Sequence, residues 1–153
     1  MTIQFSPDGS VVLKSKAETI TLGKGVAINS YSLPGRGEYD VASVQAEVYQ
    51  AGNALAYCLR TEELLTVFLD IPDLAVSELD DVSNTNILIL DLRSDSSTDV
   101  VKTIIKRLEP SYVFAIGISP SVIESLTLPQ QPAPLKVTRA GLPLEGTTLI
   151  TAP

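Results

Sequence analysis

The sequence predicts an α/β fold built on mixed β-sheets, and three observations carry that expectation. The front of the chain, as far as Asp70, is a series of short strand-like runs broken by Gly, Asn and Pro turns. The back alternates the apolar strands "NILILDL" and "YVFAIG" with the helical stretch "SSTDVVKTIIKRLEP" between them. The chain has 153 residues, 44% of them hydrophobic. A chain of that size buries roughly 70% of its unfolded surface, enough for a real core.

The elements follow in order. "TIQF" and "SVVLK" are strands around a Pro7-Asp8-Gly9 turn, and "AETITL" alternates as far as Gly23-Lys24-Gly25. "VAINSYSL" reads as a strand that stops at Pro34-Gly35-Arg36-Gly37. "YDVASVQAEVYQ" is a long strand whose imperfect alternation predicts a bulge or a bend. Gly52-Asn53 turns it into "ALAYCLR", and "LLTVFLD" is a further apolar strand. "PDLAVSELDDV" is a short helix with Pro72 near its start and Leu74, Leu79 and Val82 facing the core. "NILILDL" is a fully buried strand of the parallel-sheet kind. Ser96 and Asp99 have the spacing of a capping box, and Val100, Val101, Ile104, Ile105 and Leu108 form one helical stripe ended by Pro110. Strand, helix, strand makes a right-handed βαβ unit. "SPSVIESL" is a short helix, "LPQQPAP" a proline-rich connector, and "LKVTRAGLPLEGTTLITAP" two closing strands around a Gly-Leu-Pro turn. No linker divides the chain, so residues 1–153 read as a single domain.

Composition excludes several functions. Net charge is −7, and Lys106-Arg107 on a solvated helix face is set against any nucleic-acid footprint. No apolar run reaches the ~20 residues of a membrane span, and no signal peptide is visible, so a cytoplasmic protein is expected. The single cysteine, Cys58, lies in an apolar strand and reads as a buried thiol.

There is no histidine. Hydrolytic zinc sites are built on imidazole ligands, and a nucleophilic Cys58 would want one beside it. The acidic runs "LDD" and "LDLRSDSSTD" could hold only hard cations such as Mg²⁺ or Ca²⁺, and read more simply as solvated loops and helix starts. No Gly-x-Ser-x-Gly or Ser-x-x-Lys pattern occurs, Lys14-Ser15-Lys16 lies along one strand, and "LGKGV" runs strand to strand rather than strand to helix. "PGRGEYD" reads as a turn with two glycines at positive φ entering a strand, with Glu38 exposed or tied to a backbone amide.

Taken in order, the pieces "PGRGEYDVASVQAEVY", "LLTVFLD", "LAVSELDDV", "NILILDL" and "RLEPSYVFAIGIS" resemble the ascorbate-6-phosphate lactonase-like branch of the metallo-β-lactamase superfamily. The first of them is similar to that branch's Gly-Pro-Gly-Glu-Tyr-Glu turn and strand. The resemblance implies an αββα sandwich of two packed sheets with helices outside, shortened at the front. The branch's His-x-His-x-Asp-His segment has no counterpart, since only "GKGVAINSYSLPGR" lies between the first hairpin and the Gly-Glu-Tyr turn. The metal-ligand Asp would correspond to Asp70, with Leu69 as the competing alignment, and the late His ligand falls near Ile118.

The expectation is therefore a non-catalytic, metal-free and cofactor-free protein that self-associates, most simply as a two-fold homodimer, because "VAINSYS", "ALAYCLR" and "LLTVFL" stay apolar in a chain expected to have lost their cover. Two alternatives are an enzyme that reuses Glu38, Asp70 or Asp91 as acid or base, and a small-ligand or sensory module with one enclosed apolar pocket.

Overall fold

The computed structural model describes residues 1–93 and 96–153. Five short strands come first: β1 (Thr2–Phe5), β2 (Val11–Lys14), β3 (Thr19–Leu22), β4 (Val26–Ile28) and β5 (Tyr31–Ser32). Four more follow: β6 (Gly37–Val41), β7 (Val44–Ala51), β8 (Ala54–Thr61) and β9 (Leu64–Leu69). The rest of the chain holds α1 (Pro72–Ala75), a 3₁₀ turn (Val76–Glu78), β10 (Ile87–Asp91), α2 (Thr98–Leu108), β11 (Tyr112–Ile116), α3 (Pro120–Leu126), β12 (Gln130–Pro132), β13 (Leu135–Lys136), a second 3₁₀ turn (Arg139–Gly141) and β14 (Thr148–Thr151).

The strands make two sheets. The first is antiparallel, in the order β13-β1-β2-β3-β4-β5. The second has eight strands in the order β12-β14-β11-β10-β9-β8-β7-β6, parallel from β12 to β9 and antiparallel from β9 to β6. Period-2 alternation sets the packing. Ile3, Val11, Leu13, Ile20, Leu22 and Ile28 turn inward from the first sheet and meet Val48, Tyr57, Leu59, Phe68, Ile89 and Phe114 of the second.

The other face of the second sheet carries the helices. Val101, Ile104 and Leu108 of α2 press on Leu88, Leu90 and Val113. Each such buried aliphatic contributes about 1.5–3 kcal/mol. This explains why β9 and β10 are buried at every position and apolar at all but Thr66 and Asp91: both of their faces are covered. The described helices all lie on this one side, so the first sheet turns Gln4, Val12, Lys14, Thr19 and Thr21 outward without a helix over them. No helix among the described residues is long and apolar enough to cross a membrane.

Several expectations need correction. "VAINSYSL" is not one strand: Asn29, at φ 54°, closes a two-residue turn between β4 and β5. "YDVASVQAEVYQ" is not one bent strand but a hairpin, with the Ala42-Ser43 turn joining β6 to β7 and Ala42 at φ 53°. Neither Ala nor Ser marks such a turn, so only the broken alternation hinted at it. Leu74 faces solvent at 47% exposure, because the helix lasts a single turn before tightening to 3₁₀, while Leu79 is buried. The cap of α2 is Ser97, not Ser96: the Ser97 hydroxyl accepts the Val100 N–H. "QQP" in the supposed connector is a strand parallel to β14. The two closing strands do not form a hairpin, since β13 joins β1 in one sheet and β14 joins β11 in the other.

Candidate functional site

The carboxyl ends of parallel strands are where α/β sheets hold their chemistry. Here β9, β10 and β11 end together. Leu69 is registered with Leu90, so Asp70 and Asp91 are the next residues on two neighbouring strands. Leu69 and Leu90 face the helices, which turns the two carboxylates toward the other sheet, at the rim of the sandwich.

Both carboxylates have partners within the chain. Asp91 is 7% exposed and accepts from the backbone N–H of Arg93 at 3.1 Å and from its Nε at 2.9 Å, while Nη2 bonds the second oxygen. This forked ion pair is the strong kind. Asp91 holds the Arg93 guanidinium protonated more firmly still, with a smaller contribution from Asp8 in the β1–β2 turn. Asp70 accepts the Leu55 N–H at 2.6 Å. Burial raises its pKa above the usual carboxylate range, Leu55 opposes that, and the Asp91 charge adds to it. Tyr57, stacked on Phe68 with centroids 5.6 Å apart, is pushed up to about 12, by burial first and then by Asp70.

Gly117, just past β11, lets this arrangement close. Its φ is +72°, and a Cβ there would stand 2.7 Å from Arg93 Cγ and 3.3 Å from the Arg93 backbone. Ile118, the position resembling the late metal ligand, packs its side chain on the helix-side core.

The other candidates lie elsewhere. Glu38 is on β6, three strands from β9, and its side chain rises on the helix side of the sheet, opposite in sense to Tyr39. The structure therefore does not bring Glu38 together with Asp70 and Asp91. The turn before it is a structural unit. Tyr39 donates its hydroxyl to the Gly35 carbonyl at 2.7 Å and sits 3.1 Å from where a Gly37 Cβ would be, so Gly37, at φ +149°, has to be glycine. Cys58 is a buried thiol, pushed up to about 11 by burial first and then by Glu47, and so protonated at neutral pH. Asp95 of the acidic run lies outside the described residues. Among the described residues no three His, Cys, Asp or Glu side chains stand together as a metal-holding group.

Two features were missed in the sequence. Arg93 and Gly117 carry the rim, and their signal was only a residue type in a short loop after a buried strand, in "DLR" and "AIG". The second is an open groove of about 480 Å³ at the start of α2 and α3, lined by Asp73, Leu92, Ser97, Gly117 and Ser119 among others. Asp73 there accepts the Ser97 N–H at 3.2 Å. It is open and lined by polar and apolar groups alike, unlike the enclosed apolar pocket that a ligand-binding module would need.

The sequence matches no protein-family model and no curated protein. The structure is similar to the crystal structure of a protein from Thermotoga maritima described as a proposed zinc-dependent hydrolase of the metallo-β-lactamase superfamily. The TM-score is 0.74, at 11% sequence identity, over 98% of each chain. A likeness at that identity carries the architecture alone: two packed sheets, mixed and antiparallel, in the metallo-β-lactamase fold.

Proposed function

We propose that this chain is a metal-free, non-catalytic protein of the metallo-β-lactamase fold, working in the cytoplasm as an interaction module. The observation that carries the reading is the donor set. There is no imidazole anywhere in the chain, and the two carboxylates at the strand-end rim are engaged by Arg93 and by the Leu55 amide. The fold family implies zinc, but these residues do not fit it. A guanidinium already neutralises Asp91, and Asp70 alone offers no tetrahedral nitrogen and sulfur set.

The homodimer expected from the sequence rested on uncovered apolar strands. β4 turns Val26 and Ile28 inward, β8 is buried at six of its eight positions, and β9 is buried throughout. Any assembly therefore falls to strand edges or to polar surface.

Elemental analysis after dialysis against zinc at micromolar concentration tests the reading. The expected result is zinc well below one per chain, with no turnover of nitrocefin or bis-p-nitrophenyl phosphate above buffer. Stoichiometric zinc, or zinc-dependent hydrolysis, would overturn it.

A further inference from the structure

Among the described residues, the longest free strand edge belongs to β6. β5 and β13, at the two ends of the first sheet, are two residues each. β12, at the far end of the second sheet, is three residues and finishes in Pro132, which has no N–H to offer. β6 runs for five residues.

Its register fixes what it presents. Val41 pairs with Val44 across a two-residue turn, so Val41, Tyr39 and Gly37 exchange hydrogen bonds with β7. By alternation the N–H and C=O groups of Glu38 and Asp40 point away from the sheet, where no strand follows. The side chains of the same two residues are exposed on the helix-side face, which the helices leave bare at this end.

That face is unbalanced in charge. Glu38 stands directly opposite Glu47 at a non-hydrogen-bonded position, where facing Cα atoms are only about 4.5 Å apart. Like charges so placed repel. The ion pairs within 4 Å among the described residues include none of Glu38, Asp40 and Glu47. Tyr49 donates its hydroxyl to Glu47, a neutral partner. Arg60 is the single positive residue lining the shallow hollow of about 400 Å³ that these carboxylates share.

We propose that β6 is a docking edge for an extended basic segment of a partner protein, which adds to the eight-stranded sheet as a ninth strand and lays alternate Lys or Arg side chains over Glu38, Asp40 and Glu47. The outward amides and carbonyls of Glu38 and Asp40 supply main-chain pairing, and the carboxylates supply selectivity. A second copy of this chain fits poorly. Two antiparallel β6 strands would set Glu38 and Asp40 against their own kind, and each chain carries a net −7. The proposal rests on the interaction reading above and names the chemistry of the partner.

Fluorescence anisotropy tests it with a labelled ten-residue peptide of alternating Lys and Thr. Three controls accompany it: the same peptide with Glu for Lys, the Lys peptide N-methylated at alternate residues, and the intact protein carrying Glu38→Lys and Asp40→Lys. Both substituted positions are exposed, and reversing Glu38 relieves its repulsion with Glu47. Saturable binding of the Lys peptide is expected. It should weaken at least about tenfold on N-methylation, on charge reversal of the protein and with Glu in the peptide. Amide NMR signals of Glu38 and Asp40 should shift on titration. No binding at millimolar peptide, or equal binding of the N-methylated form, would overturn strand addition, as would concentration-dependent shifts of those two amides without peptide, which would mark a second copy as the occupant. None of these outcomes bears on zinc content or hydrolysis, so the two readings fail separately.

Discussion

Gly117 and Asp70 show how far single residues set the rim. At Gly117 both the left-handed backbone and the approach of Arg93 exclude a side chain. Gly117→Ala is expected to lower stability by about 2 kcal/mol or more, since a left-handed non-glycine costs roughly 1–2 kcal/mol before any contact is counted. Urea titration of the two proteins measures it, and a loss under about 0.5 kcal/mol would show that Arg93 moves aside freely. Asp70 gives a pH signature. Its native pKa is raised, so the native state binds the proton more tightly than the unfolded chain. Between the ordinary value near 3.8 and the raised native value, this residue makes stability fall as pH rises. Asp8, Glu18 and Glu62 have lowered pKa values and act in the opposite direction. Asp70→Asn keeps an acceptor for the Leu55 amide and removes the charge. It should be more stable than the parent at pH 7, with the gap narrowing as pH falls toward 3.8, as followed by thermal melts across pH. An equal or reversed gap would mean that the ionised carboxylate is the better partner for Leu55.

At the scale of elements, the β8–β9 hairpin departs from what its turn requires. Thr61 pairs with Leu64, and both residues between them, Glu62 and Glu63, sit at positive φ, 50° and 62°. That turn geometry favours Asn-Gly, because left-handed glycine has no Cβ penalty. Glu63→Gly should stabilise the protein by up to about 1 kcal/mol in denaturant unfolding, whereas Glu62 has a reason to stay: it takes the Lys16 amide and the terminal ammonium. A destabilised Glu63→Gly would show that its side chain holds a contact stronger than the strain. Much of this level was legible in the sequence. The stripe of α2, the apolar β10 and the Gly52-Asn53 hairpin follow from local period and turn chemistry. The Ala42-Ser43 and Glu62-Glu63 turns did not, because tertiary pairing forces their backbones and leaves no residue signature.

For the whole molecule, the arrangement of the sheets decides what is available to a partner. With "ALAYCLR" and "LLTVFL" enclosed between the first sheet and the helices, large exposed apolar side chains are confined to scattered positions such as Tyr31, Leu74 and Leu144. Light scattering at high micromolar concentration should therefore give a monomer. A stable dimer, with an interface of at least about 1,000 Å², would instead support the self-association expected from the sequence.

By itself the sequence determined the α/β class, the hairpin-rich front and βα-type back, and the absence of any imidazole for chemistry. Each of these depends on local periodicity or on residue type. The sequence also put Glu38 beside Asp70 and Asp91 as possible partners, and there it could not decide. Whether carboxylates from strands far apart in the chain share a face depends on strand order and register, which are long-range. The tertiary structure separates Glu38 by three strands and turns it to the opposite face, while register alone places Asp70 beside Asp91 and Gly117 gives Arg93 the room to neutralise Asp91. A side chain's neighbours in a sheet are chosen by pairing across the whole chain, and no window of adjacent residues contains that information.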